Sequence, residues 1–187
     1  MKTILNFAIA IGLLYTNTSC TKQMSESVTD ESAGINGSFE VIKNNLPVNW
    51  LVYTPNTTGE GDFDFSFDTK DAKEGKQSLK LDVKTCSAKG GWHSPGIAQE
   101  IPVKANEEYK ISFWIKNSQS TFTVNINCVN AKQESKCLTL ASSESINEWK
   151  YYEYKYKVPK DMEKLRIEMN VVKPGIFWID NIKVMLL

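Results

Sequence analysis

The stretch YKISFWIK, residues 109–116, is the part of the chain that says most about the fold. Tyr109, Ile111, Phe113 and Ile115 alternate with their neighbours, so they lie on one face of an extended strand. The same period of two recurs in FDFSFD (63–68), SLKLDVK (78–84), FTVNIN (122–127), YEYKYKV (152–158) and LRIEMNV (165–171). No stretch after residue 34 has the apolar spacing and caps of an amphipathic helix. About eight or nine short strands, each buried on one face, predict a single all-β domain over residues 35–187, an antiparallel β-sandwich without internal repeats.

The first residues have the pattern of a secretory signal. Residues 1–20, MKTILNFAIAIGLLYTNTSC, contain one basic residue, Lys2, and then an apolar run that is too short to span a membrane. The end of this segment resembles a bacterial lipobox, although Asn17 stands where a leucine is usual, and the resemblance implies cleavage before Cys20 and a lipid on that cysteine. An ordinary signal with an unmodified Cys20 is the alternative. Residues 1–19 are therefore predicted to be the signal, and residues 20–34, almost without apolar side chains, a flexible tether.

The charge of the chain excludes one class of partner. The sequence has 22 basic and 22 acidic residues, and removing residues 1–19 takes away only Lys2. A net charge near zero without a basic stripe predicts no nucleic-acid binding. We expect an exported lipoprotein of the cell envelope that touches the membrane only through its lipid. The outer membrane is the favoured location, and the cell surface is an open alternative.

Three cysteines remain beyond Cys20, and export permits disulfides. Cys128 and Cys137 flank the polar segment VNAKQESK, so a bridge that pins a hairpin is the predicted pairing and Cys86 is left over. A zinc site is disfavoured, because the chain has no CxxC spacing and a single histidine, His93.

Several motifs, taken in order, resemble the carbohydrate-binding modules of the family 4/9 type. They are NGSFE (36–40), LPVNW (46–50), AKEGKQSLKL (72–81), IAQEIPV (97–103), EEYKISFWIK (107–116), EWKYYEYKYKVP (148–159) and FWIDNIKV (177–184). The resemblance covers essentially the whole domain after residue 35. It implies a galactose-binding-like jelly roll that binds carbohydrate without catalysis. The same fold also serves adhesion and protein interaction, which is the alternative function, with envelope proteins as the partners.

Asp180 interrupts the apolar run GIFWIDNIKVML, residues 175–186, where a buried charge needs a partner. The resemblance implies a structural calcium ion that Glu40 and Asp180 would bind through carboxylates, with main-chain carbonyls near Ser38 and Lys76. Calcium prefers six to eight oxygens of this kind. The alternative is that backbone amides cap Asp180 and that Glu40 is a solvated charge.

A sugar site requires exposed aromatic rings beside amides or charged groups, because C–H faces stack on rings and hydroxyls need hydrogen-bond partners. Trp114 points away from the core by parity. If residues 109–116 and 122–127 form a hairpin through NSQS, then Asn125 and Asn127 share the outward face with Trp114. We also assign Gln99 of IAQEI to this face. The alternative is that a loop or the strand ends cover Trp114.

The loop KGGWHSPG, residues 89–96, contains the first-choice ligand contact, Trp92. A large aromatic residue in a loop of small residues docks on the core or on a ligand, and the resembling modules often place a sugar-stacking ring in this segment. His93 is a weaker companion that also suits a loop hydrogen bond. The modules often have a second aromatic residue after the FTVNIN strand, but none occurs between Phe122 and Trp149. Tyr151, outward by parity, is the predicted substitute.

Catalysis has little support in the sequence. Glu153 and Glu168 could be imagined as the carboxylate pair of a glycosidase, but acidic residues on outer strand positions are ordinary solvated charges. There is no G-x-S-x-G motif, and the only histidine lies in a glycine-rich loop. We therefore expect a protein without enzymatic activity that binds polysaccharide or glycoprotein glycans.

Overall fold

The computed structural model describes residues 25–59 and 61–187, and most of its regular structure is β-strand. The strands are β1 Glu26–Ser27, β2 Ile42–Lys43, β3 Leu46–Pro47, β4 Leu51–Tyr53, β5 Asp62–Asp68, β6 Ser78–Thr85, β7 Gly96–Pro102, β8 Glu108–Ser118, β9 Thr121–Val129, β10 Glu134–Ser142, β11 Ile146–Lys157, β12 Lys164–Lys173 and β13 Gly175–Leu186. The helical elements are the short helix α1, Pro55–Thr58, and 3-10 turns at Glu31–Ala33 and Gly91–His93. The alternating stretches found in the sequence all lie in these strands.

Two antiparallel sheets form the sandwich. The six-stranded sheet has the order β1-β4-β7-β12-β9-β10, and the five-stranded sheet has the order β11-β8-β13-β6-β5. Large side chains from both sheets meet between them, including Phe122 of β9 and Phe177 of β13, whose ring centroids are 5.0 Å apart. Trp50 is fully buried in the same core, and its indole N–H donates to the carbonyl of Ile35 at 3.0 Å. The predicted all-β antiparallel sandwich is confirmed.

Strands β8 and β9 do not form the expected hairpin. β8 pairs with β11 and β13, whereas β9 pairs with β10 and β12 in the other sheet. The short connection crosses between the sheets, and the buried Asn117 amide fixes it by donating to the carbonyls of Ser120 at 2.8 Å and Glu144 at 2.7 Å. The outward residues of β8 and β9 therefore lie on opposite sides of the molecule.

The described part of the predicted tether, residues 25–34, packs on the sandwich. In β1, Glu26 and Ser27 pair with Val52 and Leu51 of β4. The Asn49 side chain accepts from the amide of Asp30 at 2.8 Å and donates to its carbonyl at 2.7 Å. The folded domain thus begins before the predicted boundary at residue 35. The predicted signal, residues 1–19, and Cys20 lie outside the described residues.

The predicted disulfide is not formed, because Cys128 and Cys137 are both free thiols in the structure. Cys128 is buried on β9, and Cys137 lies at a bulge of β10 between Lys136 and Leu138. Burial, together with a hydrogen bond to the neighbouring Cys137, raises the pKa of Cys128 to about 12. The two thiols are therefore close to each other without forming a covalent bond.

Within the described residues, no helix is both long and apolar enough to cross a membrane.

Candidate functional site

The outward face of the six-stranded sheet carries a group of polar side chains that we call the polar face: Tyr53, Asn125, Asn127, Arg166, Glu168 and Asn170. Register aligns these residues, because Glu168 of β12 lies opposite Asn125 of β9 and Arg166 lies opposite Asn127. Both asparagines thus lie on an outward face, as parity predicted. The Asn125 Oδ1 atom accepts from Thr139 of β10 at 2.9 Å. The Asn127 amide donates to Glu134, and its Oδ1 atom has no partner among the described residues.

A hydrogen-bonded triad lies at the centre of the polar face. The Tyr53 hydroxyl donates to Glu168 Oε1 at 2.5 Å and accepts from Arg166 Nη2 at 3.1 Å. Arg166 also contacts Glu168 directly at 3.3 Å. Tyr53 is only 2% exposed, and burial followed by the hydrogen bond to Glu168 raises the pKa of its hydroxyl. The triad therefore presents a guanidinium and a carboxylate in fixed positions and at balanced charge.

Charges beside the triad are also matched. Glu100 of β7 accepts from Lys164 at 2.9 Å and from Arg166 at 3.4 Å. The hydrogen bond from Lys164 is the main reason that the pKa of Glu100 is lowered. The polar face consequently offers many hydrogen-bonding groups and little net charge, which suits hydroxyl groups better than an ionic ligand.

Trp92 and His93 lie at the end of the polar face marked by Asn170. The Asn170 side chain holds their loop, since it accepts from the amide of Gly91 and donates to the carbonyl of Gly91, both at 2.9 Å. The Trp92 and His93 rings lie with centroids 3.6 Å apart and planes tilted by 31°. Gly96 allows β7 to lie close to β12 at the end of this loop, because a Cβ at that position would overlap the carbonyl oxygen of Met169. The first-choice ligand contact of the sequence analysis, Trp92, thus belongs to a loop that Asn170 fastens to one end of the polar face.

Gln99 does not belong to the polar face. Gln99 lies opposite Ile167 of β12. Ile97 and Ile101 are each two positions away from it along β7, so all three side chains point to the inward side. The side chain is only 7% exposed, and its Nε2 atom donates to the carbonyl of Asn49 at 3.0 Å. The assignment to the outward face was wrong, because residues two apart on a strand share a face.

Trp114 and Tyr151 lie on the outward face of the five-stranded sheet, on the other side of the sandwich. They are directly opposite each other on β8 and β11, with ring centroids 5.0 Å apart. The Lys73 ammonium lies 4.0 Å from the centre of the Trp114 ring. The expectation that Trp114 shares a surface with Asn125 and Asn127 is therefore wrong.

Two more tryptophans on the five-stranded side are held by acidic residues at the end of β5 and in the loop that follows it. The Trp178 indole N–H donates to Asp68 at 3.0 Å, and the Trp149 indole N–H donates to Asp71 at 2.9 Å. Asp71 also binds the Lys116 ammonium at 2.5 Å. The indole N–H groups of Trp149 and Trp178 are thus occupied by hydrogen bonds within the protein.

Asp180 is fully buried, and its partners are backbone amides. It accepts from the N–H groups of Lys73 at 2.7 Å, Glu74 at 2.9 Å and Asn181 at 2.6 Å. The same turn reaches Glu40, which accepts from the amide of Lys76 at 2.8 Å. Burial raises the pKa of Asp180, and the nearby charge of Glu40 adds to this effect. The amide capping considered as the alternative is thus present.

The turn at residues 73–77 contacts both candidate calcium ligands, Asp180 and Glu40. Glu40 and Asp180 share one turn, and no lysine or arginine forms an ion pair with either carboxylate within residues 25–59 and 61–187. Two carboxylates that are bonded to backbone amides but to no basic side chain keep their negative charge unneutralised, which suits a hard cation. In the same ranges, no group of three or more acidic, cysteine or histidine side chains could hold a metal, so main-chain oxygens near Ser38 and Lys76 would have to complete the shell. Lys76 contacts Glu40 through its N–H and not through its carbonyl.

The sequence prediction missed Tyr53 and Arg166, and it considered Glu168 only as a catalytic carboxylate. Parity could have found Arg166 and Glu168, because they alternate with the core residues Leu165 and Ile167. The place of Tyr53 on the polar face follows from the pairing of β4 with β7, and alternation along one strand does not reveal which strands pair. Glu153 lies on the other sheet, so Glu153 and Glu168 do not face each other.

Comparison with known proteins identifies the family. The carbohydrate binding domain family matches residues 26–175 of the chain. None of the curated proteins matches the chain in sequence.

Solved structures share the fold at low sequence identity. The family 22 module and catalytic module of Clostridium thermocellum endo-1,4-beta-D-xylanase 10B, complexed with xylohexaose, match with a TM-score of 0.56 at 17% identity over 74% of this chain and 26% of that chain. A tailspike protein of bacteriophage CBA120 matches with a TM-score of 0.60 at 19% identity over 81% of this chain and 20% of that one. A family 4 carbohydrate-binding module matches with a TM-score of 0.59 at 18% identity over 81% of this chain and 98% of that one. The chain thus spans about a quarter or less of the first two proteins and nearly all of the isolated module.

Proposed function

Because the chain belongs to the carbohydrate binding domain family, we propose that it binds a neutral glycan on the polar face without catalysing a reaction. The observation that carries this proposal is the triad of Tyr53, Arg166 and Glu168 beside two asparagines. Guanidinium and amide N–H groups donate to sugar hydroxyls, and carboxylate and amide oxygens accept from them. The structural relative complexed with xylohexaose makes a β-linked neutral oligosaccharide the first ligand to test.

Trp92 supplies the stacking surface in this proposal. Its loop is fastened to the polar face through Asn170, so the indole lies at the end of the row of hydrogen-bonding groups. The C–H face of a pyranose ring packs on an indole in the way that apolar groups pack on aromatic rings. No other tryptophan in the described part of the chain lies at this end, so we expect one strongly held sugar ring rather than a clamp from both sides.

Titration with xylohexaose and with a broad glycan array tests the proposal. We expect Trp92→Ala to abolish binding and Asn127→Ala to weaken it, with both variants folded. Tyr151→Ala is the matched control, because it removes an aromatic side chain from the opposite face and should leave xylohexaose binding unchanged. If no glycan binds and a protein partner is captured only when Trp92 is present, the protein is a protein-interaction domain and not a glycan-binding one.

We also propose that calcium binds at Glu40 and Asp180 and stabilises the fold. The absence of a basic ion-pair partner for either carboxylate in the described ranges supports this. The ion would supply positive charge between the turn at residues 73–77 and the C-terminal strand. Gly75 supports the close approach of the turn, because a Cβ there would lie 2.5 Å from Glu40 Oε1.

We further propose that the protein is a lipoprotein of the cell envelope, acylated at Cys20. The support is the sequence pattern of residues 1–20. Cell fractionation tests this: Cys20→Ser should move the protein from the membrane fraction to the soluble fraction. Retention of the variant in the membrane fraction would exclude the lipid anchor.

A further inference from the structure

The side of the sandwich opposite the polar face carries an exposed aromatic patch. We call it the Tyr151 patch and define it by Tyr151, Trp114, Glu153, Lys110 and Lys155. These residues lie side by side on the outward faces of β8 and β11, where Tyr151 is opposite Trp114 and Lys155 is opposite Lys110. The patch is separated from the polar face by the full thickness of the sandwich, so one sugar ring cannot contact both.

Tyr151 is available to a ligand. It is 45% exposed, and it is the only aromatic residue among the exposed large apolar side chains of the described residues. The Trp114 ring lies beside it, with ring centroids 5.0 Å apart and planes tilted by 46°. The Lys73 ammonium lies 4.0 Å from the centre of the Trp114 ring. The Tyr151 hydroxyl donates to Glu153 at 2.8 Å, which fixes the orientation of the ring. A fixed, exposed ring is a surface on which a sugar can stack at low entropic cost.

The charge around Tyr151 differs from the charge of the polar face. Two ammonium groups, of Lys110 and Lys155, act on the one carboxylate of the patch, that of Glu153, and a third, of Lys73, lies over the Trp114 ring. Lys110 pairs with Glu153 at 3.5 Å, whereas Lys155 forms no ion pair within the part of the chain that the structure describes. Lys110 and Lys155 carry like charges at directly opposite positions of β8 and β11. Like charges in such positions repel each other, and an anion bound between them would reduce the repulsion.

We propose that the Tyr151 patch is a second glycan-binding site and that it takes acidic sugars. The pyranose ring would stack on Tyr151, and the carboxylate of a uronic acid would lie between the ammonium groups of Lys110 and Lys155. The site uses different residues from the polar face and a different ligand chemistry. A chain with both sites could link a neutral and an acidic polysaccharide.

Isothermal titration of the full chain with hexagalacturonate, and separately with xylohexaose, tests this inference. We expect Tyr151→Ala and Lys155→Ala each to weaken hexagalacturonate binding by about tenfold or more, a range typical for the loss of one stacking or ionic contact. Added salt should weaken this binding, because exposed charges are screened. Trp92→Ala is the matched control for Tyr151→Ala, and Lys132→Ala is the matched control for Lys155→Ala, because both residues lie away from the patch. Both control variants should bind hexagalacturonate as the wild type does.

The outcomes separate this inference from the proposed function. Loss of xylohexaose binding in Trp92→Ala with normal hexagalacturonate binding supports two independent sites. If hexagalacturonate does not bind, or binds equally well to Tyr151→Ala, the second site is wrong whatever happens on the polar face. If excess xylohexaose displaces hexagalacturonate, both ligands use the polar face and the Tyr151 patch is not a glycan site.

Discussion

Removing the hydroxyl of Tyr53 should cost the domain far more stability than its single oxygen atom suggests. Tyr53→Phe keeps the buried ring and deletes two hydrogen bonds to ionised partners, one to Glu168 at 2.5 Å and one from Arg166 at 3.1 Å. A hydrogen bond to a charged group contributes about 1.5–3 kcal/mol. Arg166 and Glu168 still contact each other in the variant, so neither charge is left without a partner. We therefore expect the free energy of unfolding to fall by about 2 kcal/mol.

Urea unfolding measures this change. With a slope of about 2 kcal/mol per molar urea, the midpoint should move down by about 1 M. Tyr151→Phe is the matched control, because its hydroxyl also donates to a glutamate, Glu153, at 2.8 Å but lies in solvent. We expect that variant to lose less than about 0.5 kcal/mol. Equal losses in the two variants would refute the view that burial makes the triad strong.

The pH dependence gives an independent check of the same residue. Burial raises the pKa of Tyr53, so the folded state keeps its proton at pH values where the unfolded chain, with a tyrosine pKa of about 10, has released it. Stability from this group is complete below pH 10 and falls as the pH rises above it. Tyr53→Phe has no such group, so the stability difference between wild type and variant should shrink above about pH 10. A constant difference up to pH 11 would contradict the assignment.

Three further perturbations test other parts of the structure. Gly96→Ala places a Cβ against the carbonyl oxygen of Met169 and should destabilise the fold by about 3 kcal/mol in urea unfolding, whereas a loss below about 1 kcal/mol would contradict the close packing. Asn170→Ala removes both bonds to Gly91 and should speed hydrogen exchange in residues 87–95 without changing exchange in the core strands, and uniform exchange would show that the loop is held by other contacts. Chelation should lower the melting temperature of wild type and have less effect on Asp180→Asn, and an unmoved curve with no metal by elemental analysis would exclude the calcium site.

Alternation along single strands predicted the sandwich and the outward direction of Asn125, Asn127, Trp114 and Tyr151. It could not predict which outward residues meet, because period two says nothing about which sheet a strand joins. The assumed hairpin through residues 117–120 instead crosses between the sheets, where the buried Asn117 amide satisfies two carbonyls. That single difference separates Trp114 from the asparagines.

Errors elsewhere have other physical origins. Gln99 was assigned against its own parity, and its amide is buried because it bonds to the backbone of Asn49. Residues 25–34 have too few apolar side chains to predict packing, but Asn49 holds them through backbone hydrogen bonds that composition does not reveal. Cys128 and Cys137 are close together, as expected, but they do not form the predicted disulfide. Trp92 stays a predicted ligand contact, and local sequence was enough to single it out because a large aromatic residue among glycines needs something to pack against.

The position of β13 affects how the chain can reach its folded state. This strand contains the last regular structure of the described chain, yet it lies in the middle of the five-stranded sheet, between β8 and β6. Until it arrives, β6 and β8 each expose an unpaired edge, and the core lacks Phe177 and Ile179. Pairing between strands distant in sequence slows folding, and exposed edges favour aggregation while it proceeds. A nascent chain therefore cannot complete the five-stranded sheet before β13 has left the ribosome, so β6 and β8 must wait for a strand that is made about 60 to 90 residues after them.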